Sequence, residues 1–435
     1  MKCIKKKLDN GMIVALVPMK RAEIVTVGFF IKAGSRNENE HNNGIAHFLE
    51  HMMFGGTTKR PHEKLFQLLD GMGSEYNAVT TTEHTYYYVN GVASDLKKIV
   101  DVVLDIYINP VFNPTRIKKE SKVIIEEMRL REDSPHTRLY YQMHEKVFAD
   151  TSLCKRIIGT EESVLNLRQS DFIQFRKELY IPKNTVFVIS GDFTPDQISP
   201  LLDRTFNTLN NPARNSVDAF PQTFLDEKPR ILKSMHSQKK PYVHIDRNDS
   251  VSQAYVLLFF PLYNLYKTNE QEINMISNIL SSGFSSRLFT ALRINNGMTY
   301  SIGSYPIVYN DAGLFVIEMA IHPDELKKGI KTTLKELKKL RTSEIDLDEY
   351  KKVGTIIKNE SIFSSSQPVD WFTYYGLNFL YNRNFDPNLK GNSQISRKVN
   401  RKDITQVAQQ IFDKKKINLF LFGNIPDEDF DFMKL

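Results

Sequence analysis

Apolar residues recur along the chain in short continuous runs, which are typical of buried strands. Such runs lie in both halves of the chain, at 13–17, 25–31, 186–189, 255–260, 314–320 and 419–422. Residues 119–131 instead alternate charged and apolar positions at the period of a helix. Because strands alternate with helices in each half, we predict an α+β fold.

The second half of the chain repeats a pattern of the first half. Residues 170–193 and 402–425 each predict an amphipathic helix, a short turn and an apolar strand that ends at a glycine. Three marker residues of the first copy recur 232 positions later in the second: Asp171, Tyr180 and Gly191 correspond to Asp403, Phe412 and Gly423. We interpret the chain as an internal duplication that forms two homologous α/β domains.

The stretch between the two copies is rich in Asn, Pro, Ser and Lys. Prolines interrupt any helix or strand pattern there, at positions 212, 221, 229 and 241. We therefore predict an N-terminal domain at 1–207, a linker at 208–241 and a C-terminal domain at 242–435.

Two histidines and a glutamate lie close together on one predicted helix. His47 and His51 are four positions apart, so their side chains lie one turn above the other and can hold a single metal ion. Glu50 lies within reach of the same ion, where a carboxylate can accept a proton from bound water. The order H-x-x-E-H is that of the inverzincins, and we expect the metal to be zinc. A lone histidine in an apolar helix is more often a hydrogen-bonded core residue, so the motif needs a third ligand.

A second predicted helix supplies candidate carboxylates. Glu120 and Glu127 are seven positions apart and share one face, whereas Glu126 points about 100° away from Glu127. We predict Glu127 as the third ligand and Glu120 as its neighbour. Glutamate pairs on helices are usually solvated, but two imidazoles and a carboxylate among apolar side chains are costly to bury without a cation. The second copy has Ile, Ser and Gly at the three offset positions, which are 279, 282 and 283, and we expect its domain to be metal-free.

Composition and charge narrow the class of function. The 435 residues are 41% hydrophobic and 25% charged, as in ordinary globular proteins, and no apolar run has the length of a membrane span. The net charge of +7 comes from scattered lysines without a nucleic-acid motif, so we expect no nucleic-acid partner. Cys3 and Cys154 cannot form a disulfide framework. Because the first residues lack the apolar core of a signal peptide, we expect a cytoplasmic protein with no membrane partner.

Four segments resemble the pitrilysin, or M16, family of zinc metallopeptidases. They are GIAHFLEHMMFGGT at 44–57, NAVTTTEHTYYYV at 77–89, KKESKVIIEEMRLREDSP at 118–135 and SSRLFTALRINNGMTYSIGS at 285–304. The chain is similar to the short two-domain members, which include the catalytic subunit of the mitochondrial processing peptidase and bacterial M16B peptidases. The resemblance implies two homologous domains of the LuxS/MPP-like metallohydrolase type, each with a mainly antiparallel sheet covered by helices on one side.

The resemblance also implies a role for each candidate residue of the metal site. His47, His51 and Glu127 would bind one zinc ion per chain. Glu50 would be the general base, and Glu120 a supporting catalytic carboxylate.

Four further residues are implied on the substrate side. Asn77 and Ala78 would lie on an edge strand along which an extended peptide binds. From the second domain, Arg293 would bind a substrate carbonyl, and Tyr300 would donate a hydrogen bond to the developing oxyanion. Segment 152–159, SLCKRIIG, departs from the His-Pro-type sequence of many family members.

The function implied by the resemblance is that of a zinc-dependent endopeptidase. Its substrates would be extended or unfolded peptides held in a closed chamber. Since the longest family chains carry four homologous domains around a chamber and this chain carries two, we expect a homodimer or a heterodimer with a homologous M16 chain. The alternative is a catalytically silent structural subunit of a heteromeric complex. The intact set of candidate ligands and base favours the enzyme.

Overall fold

The chain folds into two compact units, each built on one β-sheet. The computed structural model describes residues 3–149, 151–198, 200, 202, 238–262, 265–381, 399–427 and 430. The first unit comprises Met1–Leu130, Lys155–Phe224 and Ser361–Gln394, and the second comprises Arg131–Cys154, Leu225–Glu360 and Ile395–Leu435. Most of the predicted linker, residues 208–237, lies outside the described residues.

The first unit is built on a six-stranded sheet. Its strands are β1 (Ile4–Lys7), β2 (Ile13–Pro18), β3 (Ile24–Ile31), β4 (Glu75–Thr80), β5 (Thr85–Val92) and β6 (Thr185–Gly191). They lie in the order β1-β2-β6-β3-β5-β4, and all neighbours are antiparallel except the parallel pair β2 and β6. β3 and β6 are buried along almost their whole length, because their apolar residues face both sides of the sheet.

Helices from the first half of the chain cover one face of this sheet. In chain order, that half contains α1 (Ile45–Met53), α2 (His62–Gly71), α3 (Leu96–Ile108), α4 (Pro114–Glu132), α5 (Pro135–Val147), α6 (Glu161–Asn166) and α7 (Gln169–Leu179). All of these except α5 contribute buried side chains to one apolar core with the sheet. This core fixes the orientation of α1 and α4, which carry the candidate metal ligands.

The second unit repeats this topology. Its strands are β7 (Tyr242–Arg247), β8 (Ala254–Pro261), β9 (Thr299–Val308), β10 (Gly313–Ile321) and β11 (Asn418–Gly423), in the order β7-β11-β8-β10-β9. The pair β11 and β7 is parallel, and the other neighbours are antiparallel. This order matches β2-β6-β3-β5-β4 of the first sheet, as the duplication predicts.

Five α-helices lie among the described residues of the second half of the chain. They are α8 (Leu265–Ser281), α9 (Leu326–Thr342), α10 (Leu347–Phe363), α11 (Pro368–Leu380) and α12 (Arg401–Ile411). All of these except α11 share an apolar core with the second sheet. Within the described ranges, we find no helix whose length and hydropathy suit a bilayer crossing.

Among the described residues, each sheet also carries one helix on its other face, and that helix comes from the other half of the chain. α5 packs through Met143 on β8 and β11 of the second sheet. α11 packs through Phe372 and Tyr375 on β2, β3 and β6 of the first sheet. The expectation of helices on one side only is wrong, because an uninterrupted apolar strand has a second face that must also be covered. Compared with the predicted ranges 1–207 and 242–435, the first unit also takes in Ser361–Gln394 and the second unit also takes in Arg131–Cys154.

Candidate metal centre

The candidate site is built on α1, whose apolar face is anchored in the core of the first unit. The anchoring side chains are those of Ile45, Phe48, Leu49, Met52 and Met53. Gly44 precedes the helix with φ of 92°, a left-handed conformation that glycine adopts without steric cost. His47 and His51 lie on adjacent turns, with their ring centroids 4.8 Å apart. Because the apolar residues fix α1 in the core, the imidazole rings of His47 and His51 are held on the same side of the helix.

α4 places a carboxylate against these two rings. Glu127 Oε2 lies 3.7 Å from His47 Nε2 and 3.8 Å from His51 Nε2. Glu126 instead lies at the surface, where its side chain is 67% exposed and accepts a hydrogen bond from Arg129. Of the two neighbouring glutamates, the structure brings Glu127 to the imidazoles and leaves Glu126 away from them.

The three converging side chains suit a zinc ion. Zinc takes imidazole nitrogen and carboxylate oxygen at about 2.0–2.2 Å, so the donors of a tetrahedral site are about 3.4 Å apart. One donor atom from each of His47, His51 and Glu127 lies within 4.8 Å of the other two, and two of the separations are 3.7 and 3.8 Å. Among the described residues, no second group of His, Cys, Asp or Glu side chains converges in this way.

Glu120 supports the site through His51. Its Oε1 atom lies 3.0 Å from His51 Nδ1, so the imidazole donates a hydrogen bond there and keeps Nε2 toward Glu127. Arg116 pairs with the other carboxylate oxygen at 3.1 Å. The hydrogen bond from His51, together with the charge of Arg116, lowers the pKa of Glu120. A carboxylate behind a metal-binding histidine fixes its tautomer and makes the ring a stronger donor to the metal.

Glu50 contacts a residue that the sequence pattern did not reveal. The Thr80 hydroxyl donates a hydrogen bond to Glu50 Oε2. Burial raises the pKa of Glu50, and the hydrogen bond from Thr80 acts in the opposite direction. Thr80 ends β4 and shares a face of that strand with Ala78, because side chains two positions apart point the same way. That spacing is the one sequence signal that points to Thr80.

β4 forms one edge of the first sheet. Its strand partner among the described residues is β5. Asn77 is exposed, and its side-chain oxygen accepts a hydrogen bond of 2.8 Å from the Ala78 amide. The structure thus places Asn77 and Ala78 on the edge strand whose last residue contacts Glu50.

The second unit holds Arg293 and Tyr300 as a contacting pair. Arg293 Nη1 donates a hydrogen bond of 2.9 Å to the backbone oxygen of Tyr300. The guanidinium carbon lies 4.5 Å from the centre of the Tyr300 ring and 4.9 Å from that of Phe289. Tyr300 is 78% exposed, so its hydroxyl is open to solvent in this unit.

Two family profiles together match most of the chain. The profile described as insulinase, peptidase family M16, matches residues 13–161. The profile described as the peptidase M16 inactive domain matches residues 166–355. α1 and α4 lie in the first matched region, and Arg293 and Tyr300 lie in the second.

Individual relatives carry related names. An uncharacterized zinc protease of Rickettsia felis is 26% identical over 413 residues, which cover 93% of this chain and 94% of that protein. Subunit beta of the mitochondrial-processing peptidase of Bos taurus is 28% identical over 357 residues, which cover 82% of this chain and 71% of that protein. Among solved structures, a protease from Helicobacter pylori matches with a TM-score of 0.84 at 23% identity and covers 97% of this chain and 99% of that one. The match to the Helicobacter pylori structure shows that the two chains share a fold.

Proposed function

Because the chain belongs to peptidase family M16, we propose that it is a zinc-dependent endopeptidase acting on extended or unfolded peptides. The observation that carries this proposal is the convergence of His47, His51 and Glu127. Glu50, the candidate general base, directly precedes His51 on the same helix. Two imidazoles and a carboxylate leave one position of a tetrahedral zinc open, which distinguishes catalytic from structural zinc sites. The zinc-protease name of the Rickettsia relative supports the same chemistry.

Each side chain of the site has a separate task in the proposed reaction. Zinc bound by the two histidines and Glu127 would act as a Lewis acid toward the scissile carbonyl and lower the pKa of the attacking water. Glu50 accepts the proton of that water and returns it to the leaving amine. Thr80 orients the carboxylate of Glu50 through its hydroxyl. Glu120 holds the ring of His51 with Nε2 directed toward the metal position.

The edge strand β4 supports an extended peptide as the substrate. A peptide that pairs with β4 would add a strand to the sheet through backbone hydrogen bonds. Such bonds depend little on which side chains the peptide carries. Asn77 and Ala78, which lie on the same strand as Thr80, would then contact the substrate backbone. Broad sequence specificity follows from this mode of binding.

Removing zinc is the direct test of the proposal. We expect a chelator to abolish peptide cleavage and added zinc to restore it, with one zinc ion per chain by elemental analysis. Cleavage is followed by mass spectrometry of a peptide mixture with and without the chelator. A preparation made without chelators that holds less than about a tenth of an equivalent of transition metal, and takes up no zinc when it is supplied, would contradict the proposal.

Arg293 and Tyr300 are proposed to contact the substrate. Tyr300→Phe removes a hydroxyl that can donate to the developing oxyanion, so we expect turnover to fall about tenfold, less than for a fully buried donor. Arg293→Gln should also lower turnover, and zinc content should not change in either variant. Tyr266→Phe, which removes a hydroxyl bonded to Glu270 in the same unit, is the matched control. Wild-type turnover in both the Tyr300 and Arg293 variants would exclude these roles.

Two chains are proposed to associate and enclose the substrate in a chamber. The chain carries two homologous units, and one of its relatives is itself named as a subunit. The partner would be an identical chain or a homologous M16 chain, and the complete set of site residues favours an active homodimer. We expect light scattering at micromolar concentration to report twice the 50.4 kDa mass of one chain. A fully active species at the mass of one chain would refute the need for a dimer.

A further inference from the structure

The helix that carries both candidate histidine ligands begins without a local cap. Gly44 stands at the N-cap position and has no side chain to offer, and the first turn of α1 contains no acidic residue. A helix N-terminus leaves backbone N–H groups without intrahelical partners and carries a positive partial charge. His47 is the third residue of α1, so this positive end lies beside a side chain proposed to bind a dication.

A buried carboxylate upstream of α1 takes the place of the missing cap. Glu38 Oε2 accepts hydrogen bonds of 2.8 Å from the Gly44 amide and 2.7 Å from the Asn43 side chain, and Oε1 accepts one of 2.8 Å from the Ala46 amide. Glu38 itself is only 5% exposed. Burial raises its pKa to about 8, against the opposing effects of these three bonds and of the Lys155 charge. The carboxylate is therefore held directly against the backbone that leads into His47.

The same loop is also held by Lys155 and Arg156, which lie in segment 152–159, and by Ser163. Lys155 Nζ donates a hydrogen bond to the backbone oxygen of Glu38. The Asn43 side chain also donates to the backbone oxygen of Arg156 at 3.0 Å, and Ser163 Oγ donates to the backbone oxygen of Asn43 at 2.7 Å. The entrance to α1 is thus fixed from both sides within the first unit.

We propose that Glu38 is a positioning residue of the metal centre, which fixes the first turn of α1 and offsets the positive helix end beside His47. This inference rests on the proposed zinc site. The hydrogen bonds of the Glu38 carboxylate go to the Asn43 side chain and to the Gly44 and Ala46 amides, so it acts through the backbone of α1. A group that orients a metal ligand without touching the metal commonly changes metal affinity by about 10- to 100-fold when it is lost.

Asp105 offers a matched control for loss of a buried carboxylate. It is 2% exposed and accepts hydrogen bonds from the side chains of Thr57, Arg60 and Asn109, none of which lies on α1. Asp105→Asn therefore lowers the stability of the first unit without disturbing the entrance to the metal helix. It separates an effect on folding from an effect on the position of His47.

The experiment measures zinc affinity by competition with a chromogenic chelator at pH 8.5, which lies above the pKa of about 8 for Glu38, so that most of this carboxyl group is ionised. We expect affinity to fall about tenfold in Glu38→Gln, which keeps the shape and one acceptor oxygen, and up to about 100-fold in Glu38→Ala. Asp105→Asn should stay within about twofold of the wild type, as expected for a site independent of the ligands. Circular dichroism and the melting temperature establish that each variant is folded during the titration.

Two results would overturn the inference in distinguishable ways. If folded Glu38→Gln binds zinc as tightly as Asp105→Asn at an equal loss of melting temperature, Glu38 has only a structural role. If the wild type binds no zinc, or if His47→Ala binds zinc as tightly as the wild type, the proposed function itself is overturned, and the inference falls with it.

Discussion

Replacing Glu50 with glutamine is expected to lower peptide turnover by about 100-fold or more, the scale on which general bases contribute to catalysis. Glutamine keeps the shape of the side chain, and its amide oxygen can still accept the hydrogen bond from Thr80. What it loses is the ability to take a proton from water. Zinc content should stay at the wild-type level, because Glu50 is not among the three converging donors. Turnover of a quenched fluorescent peptide and elemental analysis of the same preparation give the two quantities.

Thr80→Val provides a graded comparison for this variant. It leaves the carboxylate of Glu50 in place and removes only the hydroxyl that orients it, so its loss of turnover should be smaller. A Glu50→Gln protein that retains more than roughly a tenth of wild-type turnover would exclude Glu50 as the general base.

Glu127→Gln is expected to weaken zinc binding by at least about 100-fold, since loss of a direct ligand should cost at least as much as loss of its supporting groups. The amide oxygen is a poorer donor than the carboxylate, and the negative charge that faces both imidazoles is lost. Activity at low zinc should fall in parallel and recover in part when zinc is added in excess. Competition with a chromogenic chelator measures the affinity, and turnover is recorded across the same zinc series.

The neighbouring residue supplies the control for this experiment. Glu126→Gln makes the same chemical change one position away, on an exposed side chain that pairs with Arg129. Zinc affinity and turnover should both stay at wild-type levels. The opposite result, with zinc binding lost in Glu126→Gln and kept in Glu127→Gln, would mean that the third ligand is wrongly assigned.

Part of the geometry of the candidate metal centre can be read from the sequence, because it is local to single helices. Helical period alone places His47 and His51 one turn apart, and it separates Glu127 from Glu126. The period does not say how α4 packs beside α1, so the convergence of Glu127 with His47 and His51 is seen only in the structure. The 232-residue offset between the two copies likewise predicts two similar folding units, and the strand orders β2-β6-β3-β5-β4 and β7-β11-β8-β10-β9 agree with it.

Two supporting contacts of the site, those made by Thr80 and Glu38, were not visible in the sequence. The bond from Thr80 to Glu50 joins residues 30 positions apart, and Glu38 reaches the backbone of α1 from outside any capping motif. Neither pairing follows from a period along one element, because each depends on how a strand or a loop packs against α1. Such contacts are decided by tertiary structure.

Which helix covers which sheet was also decided only by tertiary structure. The apolar strands and amphipathic helices of the sequence determined that two sheets would form and that their faces would need cover. The pattern does not say that α5 covers the second sheet and α11 the first. The reason is that burying apolar surface stabilises the folded protein wherever that surface lies in the sequence. A helix can therefore pack on any complementary sheet face that the fold brings within its reach.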